Sequence, residues 1–309
     1  MQPVLSIIIA TYNRLTELQT MLESLLPQVQ GQPVEVVIVD DCSTDTTWEW
    51  LKVNLSAMPS IVCLRMEKNS GPGPARNLGL TAARGQYFAP IDSDFVVITG
   101  AIERLLLAIR EEHRYHLLFF PCLQSPGMCR IDRLSGRSEI TYESSVTGQL
   151  GELVAVADLA YLRKYRLSYP ALRAGGEGIL WAQILAGGPA LFLDTPVVLY
   201  RTDVAGRICT LEYQMEHPKD LAAIADAEVT MIPRDARGTF KSARTRKSVA
   251  AGVYHLLAGN SKAGRQRLFD AACYGYLPAM LALIASFGGQ RCFRMLFQFY
   301  RTRIQQAYL

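Results

Sequence analysis

A doubly wound α/β domain, with a mostly parallel sheet flanked by helices and a helical C-terminal appendage, is the fold class this sequence predicts. Three observations carry it. Short apolar, β-branched runs recur through the first hundred residues, helical periodicity fills the gaps between them, and charge divides the chain into two unlike parts. The runs are Val4 to Ala10, Val34 to Asp40, Ile61 to Arg65 and Gln86 to Ile91. Uninterrupted apolar runs of this kind suit strands buried on both faces of a parallel sheet. After the first run, Leu15, Leu18, Met21, Leu22, Leu25 and Leu26 repeat at helical spacing and predict a helix that closes near Pro27. After the second, a helix is expected from Asp45 or Thr46, with Glu49 as the reciprocal capping partner of Thr46. The third is followed by Pro74, a residue favoured in a first helical turn, and a helix through Leu78 and Ala82. Strand, helix, strand, helix is the order of a βαβ domain.

Composition sets the outer limits. With 309 residues, 50% of them hydrophobic and 19% charged, the chain is neither disordered, collagenous nor a coiled coil. A chain of this length buries roughly three quarters of its unfolded surface, so it needs no disulfide or structural metal to fold. The seven cysteines are odd in number and form no C-x-x-C pair, which predicts reduced thiols in a cytoplasmic protein. No leader-like segment is expected, because the first apolar run passes straight into Thr11-Tyr12-Asn13-Arg14.

The net charge of +4 conceals an asymmetry. Residues 1–233 hold 19 Lys and Arg against 26 Asp and Glu, whereas residues 234–309 hold 13 against 2. We therefore expect a body over 1–233 and a basic, helical region over 234–309. Basic regions meet nucleic acid, acidic partners or anionic lipid. No nucleic acid reading module accompanies this one, so nucleic acid is not the expected partner. Residues 271–290, AACYGYLPAMLALIASFGGQ, carry no charge and have the length of a membrane span. Pro278, three glycines and two tyrosines make them a poor one. An interfacial or buried helix pair is favoured over a crossing, with a packed helical appendage bearing a solvated basic face as the alternative.

In open parallel sheets, ligands bind beyond the carboxyl ends of the strands. Here those ends carry Thr11-Tyr12-Asn13, Asp40-Asp41 and Asp92-Ser93-Asp94. Four carboxylates on one sheet edge repel each other, so something cationic is expected among them. Two carboxylates two residues apart are hard oxygen donors that suit Mg²⁺ or Mn²⁺, which takes one or two protein carboxylates and completes its shell from a substrate diphosphate. By itself D-x-D is common in loops; its place beside Asp40-Asp41 is what favours function. A dinucleotide oxidoreductase is disfavoured, because the first βα turn, ATYNRLTEL, has no glycine and the cluster Gly71-Pro72-Gly73-Pro74-Ala75-Arg76 follows a later strand, with Arg where the third glycine belongs. A P-loop is equally absent.

Taken as an ordered set, Ser6-Ile7-Ile8-Ile9-Ala10-Thr11-Tyr12-Asn13-Arg14, Val39-Asp40-Asp41-Cys42-Ser43-Thr44-Asp45, Asn69-x-Gly71-x-x-x-Ala75-Arg76-Asn77-x-Gly79 and Asp92-Ser93-Asp94 resemble the family 2 glycosyltransferases of GT-A fold. The resemblance runs from about Leu5 to Arg207, with a donor half over about 1–100 and an acceptor half over about 101–233. It implies that Tyr12 and Asp40 or Asp41 contact a nucleoside base, that Arg76 lies near base or diphosphate, and that Asp92 and Asp94 serve ribose and metal. Thr11, Asn13 and Ser93 complete the implied donor set. The implied cofactor is Mn²⁺ or Mg²⁺, and the implied reaction moves a sugar from a nucleoside-diphosphate donor, commonly a UDP-sugar, with inversion.

The acceptor half follows the family less closely. Its usual E-D-x-x-L-W-x-R-L, whose Asp is the general base, meets Gly176-Glu177-Gly178-Ile179-Leu180-Trp181-Ala182-Gln183 here. Aligning Glu177 with that Asp keeps Leu180-Trp181 in place and makes Glu177 the base and Trp181 an acceptor-side residue; a shift by one puts Gly178 there, with no carboxylate. Glu177 as a helix N-terminal residue favoured by the macrodipole is the plain alternative. Leu193-Asp194 through Tyr200-Arg201 resembles the family's closing strand, with Asp203 where a His is frequent. The expected acceptor is a glycan or a lipid-linked sugar, in surface polysaccharide or glycolipid synthesis. The basic region, with Phe287, Phe293, Leu296, Phe297 and Tyr300, would then hold the enzyme peripherally on the cytoplasmic face of an inner membrane. Two rivals stand beside this reading: a nucleotide-sugar binding protein that has lost its base, and a nucleotidyltransferase, which lacks here the glycine- and lysine-rich loop such enzymes often show.

Overall fold

The computed structural model describes residues 2–55, 57–124, 129–130, 134–147, 150–201, 210–291, 293–295 and 297–298. All four apolar runs form strands: β1 (Leu5–Thr11), β2 (Val34–Asp40), β3 (Ile61–Arg65) and β4 (Tyr87–Pro90). They lie parallel in the order β3-β2-β1-β4. Alternate residues feed two cores. Ile7, Ile9, Val36 and Ile38 pack with Leu18, Met21, Leu22 and Leu25 on one face, and Ile8, Val37 and Val39 pack with Ala75 on the other. Burial on both faces is the reason these strands read as unbroken apolar runs.

The intervening helices are α1 (Leu15–Val29), α2 (Thr47–Asn54) and α3 (Pro72–Ala82). Three details depart from expectation. α1 runs two residues past Pro27, because that ring sits on the exposed side and the extension buries Val29. α2 is capped by Asp45, whose Oδ1 accepts from Thr47 N at 3.0 Å; Thr46 makes no side-chain cap, so the expected box with Glu49 does not form. α3 starts at Pro72, and Pro74 lies within its first turn.

The sheet continues through elements of mixed direction. In chain order these are β5 (Phe95–Val97), α4 (Ala101–Glu111), β6 (Leu117–Gln124), β7 (Cys129–Arg130), β8 (Arg137–Ile140), α5 (Tyr142–Val146), β9 (Leu153–Asp158), α6 (Leu159–Tyr165), α7 (Glu177–Leu185), β10 (Ala190–Leu193) and β11 (Val198–Tyr200). β9 lies antiparallel between β4 and β6, and β10 follows β6 in parallel with β8 against it. β11 pairs with β6 and, antiparallel, with β5. β5 begins immediately after Asp94, so this pairing fixes the far end of the acidic loop.

The chain divides into two compact units, Met1–Val204 and Ala205–Leu309. The second contains α8 (Leu211–Glu216), α9 (Pro218–Thr230), α10 (Gly238–Leu257), α11 (Ser261–Ala272) and α12 (Leu277–Ala285), followed by a 3₁₀ turn over Ser286–Gly288. α9 packs on α10, α10 on α11 and α11 on α12. The packing boundary thus precedes the charge boundary at Pro233, because α9 shares a core with the basic helices. The uncharged stretch 271–290 is broken into the end of α11, α12 and the turn. Among the described residues no helix is long and apolar enough to cross a membrane.

Candidate active site at the sheet edge

The carboxyl ends of β1, β2 and β4 bring Thr11, Asp40 and Asp92 to one edge, as parallel pairing in register requires: Thr11 lies opposite Asp40. Asp40 is fully buried. Its Oδ2 accepts from Ser43 N at 3.1 Å and forms an ion pair with Arg65 Nε at 3.2 Å. Its Oδ1, like Thr11 Oγ1, is buried with no hydrogen-bond partner among the described residues. A buried acceptor left open is costly, and such groups mark places where a ligand completes the set.

Asp41 and Asn13 serve the loops. Asp41 receives Ser70 N at 2.8 Å and Gly71 N at 2.7 Å. Burial pushes its carboxyl upward, and those backbone donors and the Arg173 charge oppose the rise. Gly71 has φ 92°, and a Cβ there would lie 2.3 Å from Arg173 O, so only glycine lets this loop approach 173. Asn13, in the left-handed region at φ 50°, accepts Thr44 N at 2.8 Å through Oδ1, and its own N–H donates to Ser43 Oγ at 2.9 Å. Tyr12 beside it is 39% exposed and free to face a ligand.

Arginines supply the cation that the acidic edge demanded. Arg14 Nη1 binds Asp94 Oδ2 at 2.6 Å, and Arg65 pairs with Asp40. Buried Arg76 donates through Nη2 to Asp92 Oδ1 and through Nη1 to Glu177 Oε1, with its guanidinium 5.6 Å from the Tyr169 ring centre. Three carboxylates crowd this point. Burial, Asp94 and Glu177 together push the Asp92 carboxyl up against the pull of Arg76. Burial alone would also raise Glu177, but Arg76 and the backbone N–H groups of Gly176 and Glu177 hold it below the usual glutamate range. Arg76 itself is more firmly protonated than an ordinary arginine: desolvation opposes its charge, and Asp92 and Glu177 outweigh it.

Glu177 is the first residue of α7, after Gly175 and Gly176 at φ 99° and 96°. That turn, closed to most side chains, delivers the carboxylate to Arg76 from 101 residues away in sequence. Trp181, one turn on, stacks near Phe88 at 6.2 Å and meets Phe119 and Tyr169 edge-on. It is a half-buried packing residue that seats α7 on the sheet. Ser93 is buried beside Asp94. Among the described residues no group of three or more His, Cys, Asp and Glu could hold a metal. Asp203, Leu296 and Tyr300 lie outside the described residues.

Sequence reasoning missed Arg14, Arg65 and Arg173 as members of this edge. Arg65 was within reach, since it closes β3 at the same sheet edge, and Arg14 directly follows Asn13 in the first motif.

Known proteins resemble this chain in sequence and in fold. A family model described as Glycosyl transferase family 2 matches residues 6–127. The putative teichuronic acid biosynthesis glycosyltransferase TuaG of Bacillus subtilis (strain 168) is 38% identical over 189 residues, 60% of this chain and 74% of that protein. The chain belongs to glycosyltransferase family 2. Other relatives match over less of their length. The succinoglycan biosynthesis protein ExoO of Rhizobium meliloti (strain 1021) is 38% identical over 34% of this chain, which spans 29% of ExoO. WfaP of Escherichia coli is 37% identical over 32% of the chain, which spans 38% of WfaP. Among solved structures, S. aureus TarS 1–349 in complex with UDP-GlcNAc superposes with TM-score 0.61 at 18% identity, over 98% of this chain and 92% of that one. The mannosyltransferase PcManGT from Pyrobaculum calidifontis, in complex with GDP-Man and Mn²⁺, gives 0.56 at 19% identity, over 100% and 85%. The shared fold is GT-A, as this family 2 chain's motifs implied.

Proposed function

We propose that this chain transfers a sugar from a nucleoside-diphosphate donor to an acceptor hydroxyl, inverting the anomeric carbon. The observation that carries the reading is the Arg76 bridge, which joins Asp92 at the end of β4 to Glu177 at the start of α7. One side chain thereby couples the donor-side acid to the acceptor-side base. Asp40 Oδ1, an open buried acceptor, suits an N–H of the nucleobase, and Tyr12 a stacking contact with its ring. Arg14 and Arg76 stand where a diphosphate draws cations.

The donor chemistry of Asp92 and Asp94 fits Mg²⁺ or Mn²⁺ held by one or two carboxylates and completed by phosphates. When bound, the ion neutralises charge growing on the departing nucleoside diphosphate. The rest falls to the chain: Glu177 takes the acceptor proton as the hydroxyl oxygen attacks from the face opposite the leaving group. A UDP donor is supported by the UDP-GlcNAc of the TarS complex, and a lipid-linked acceptor by WfaP, named as a UDP-Glc:alpha-D-GlcNAc-diphosphoundecaprenol glucosyltransferase. Such an acceptor places the reaction at a membrane surface, in polysaccharide synthesis.

The test is thermal unfolding with UDP, GDP, dTDP or CMP, each with and without Mn²⁺. A ligand at a hundred times its Kd stabilises by about 2.7 kcal/mol, enough to raise the midpoint by about 4–6 °C. UDP with Mn²⁺ is expected to give the largest shift; no shift with any nucleotide overturns the donor site. The bare Gly178 beside the Arg76-bound Glu177 favours a second reading, a binding protein without turnover. Nucleotide binding with neither transfer nor slow donor hydrolysis would select it.

A further inference from the structure

α12 has two unlike faces. Ala279 and Ser286 are buried, and Ala282, Leu283 and Ala285 pack against the cluster of Leu256, Leu257, Leu268 and Phe293. The opposite face carries Leu277, Met280, Leu281, Ile284 and, in the following turn, Phe287, exposed by 46% to 69%. These positions step by three and four, so they form one continuous stripe on the helix. An all-apolar helix is normally enclosed; one left half uncovered marks an interaction surface.

Charge identifies the occupant. Arg265 lays its guanidinium 4.2 Å from the Phe287 ring centre and is held there by bonds to Ser286 Oγ at 3.2 Å and Ser286 O at 3.0 Å. Lys262 is exposed one turn earlier on α11, and Arg291 is exposed four residues beyond Phe287. Residues 234–309 carry 13 basic side chains against 2 acidic, so a second copy of this face is repelled and a negatively charged surface attracted. We infer that the outer stripe of α12, framed by Lys262, Arg265 and Arg291, docks on an anionic lipid bilayer. The contact is interfacial: Leu281, Ile284 and Phe287 enter the acyl boundary while the arginines stay with the headgroups. The inference deepens the membrane-side acceptor proposed above, and it rests on the C-terminal unit alone, not on the donor site.

Co-sedimentation of the full chain with vesicles decides it. Binding to phosphatidylglycerol-containing vesicles, absent with phosphatidylcholine alone and weakened by salt, is expected. Leu281→Asp with Ile284→Asp should lower the partition coefficient by about tenfold or more. Lys262→Glu with Arg291→Glu should lower it by about fivefold or more per charge. Both pairs are exposed; circular dichroism verifies the fold, and if the aspartate pair misfolds the charge reversal decides. Equal binding to neutral vesicles, no binding, or wild-type partition in the variants overturns the inference. So does a lipid-free dimer, seen by analytical ultracentrifugation, that the aspartate pair dissociates. Failure of the donor reading shows instead as absent nucleotide shifts, which vesicle binding does not affect.

Discussion

Glu177 owes its ionisation first to Arg76 and then to the backbone N–H groups of Gly176 and Glu177. Left buried without a partner its carboxyl would titrate above the usual range; Arg76 reverses the sign. Held below the usual glutamate range, the carboxylate we propose as base is ionised at neutral pH, so the acid limb of the kcat profile is expected below that range, with a plateau above it. Glu177→Gln should lower kcat by about 10² to 10⁴-fold and leave nucleotide affinity unchanged. Steady-state kinetics with nucleotide titration check this, and an unaltered kcat removes Glu177 as the base. Arg14 and Arg65 play a similar part: each pairs with one edge carboxylate, Asp94 or Asp40.

At the opposite end of the strands, β1, β2 and the α3–β4 connection are tied by one buried acid. Glu35 accepts Ser6 Oγ at 2.6 Å and the N–H groups of Arg84 at 2.5 Å and Gly85 at 3.2 Å. Burial would raise its carboxyl, but the Ser6 and Arg84 hydrogen bonds hold it down. The Arg84 side chain is 62% exposed, so its ion pair adds little; the orphaned backbone donors set the cost of losing Glu35. Glu35→Ala should destabilise by about 2–4 kcal/mol in urea unfolding at neutral pH. Because the folded pKa is lowered, the contribution is complete above the usual glutamate range and is lost as pH falls through the lowered value. The gap between wild type and variant should therefore narrow on acidification. A gap that widens would contradict the depressed pKa.

At the scale of the whole molecule, an acidic-edged sheet unit and a basic helical unit each carry their own core. Asp226 on α9 links His255 of α10 at 2.8 Å and Arg267 of α11 at 2.8 Å. Partly exposed, the pairs contribute modestly, and Asp226→Ala should lower stability by about 1–2 kcal/mol while the affinity for the proposed nucleotide donor stays at the wild-type value. Thermal unfolding with nucleotide titration tests both halves of that statement. The sequence by itself determined the four parallel strands, the polar residues at their carboxyl ends, the family and the basic C-terminal region. All of these are local patterns, readable from period, propensity and charge within about ten residues. Asp45, one of the two residues expected to open α2, supplies its side-chain cap and the Thr46–Glu49 box does not form, while the start of α3 moved two residues because Pro72 suits a first helical turn as well as Pro74. Only the tertiary structure decided which cations quench the edge. Arg14 reaches Asp94 across 80 residues and Arg76 reaches Glu177 across 101, distances over which no periodic signal survives. It likewise decided that Trp181 packs within the sheet's aromatic core while the stripe of α12 stays uncovered, since apolar residues look alike in sequence until their neighbours are in place.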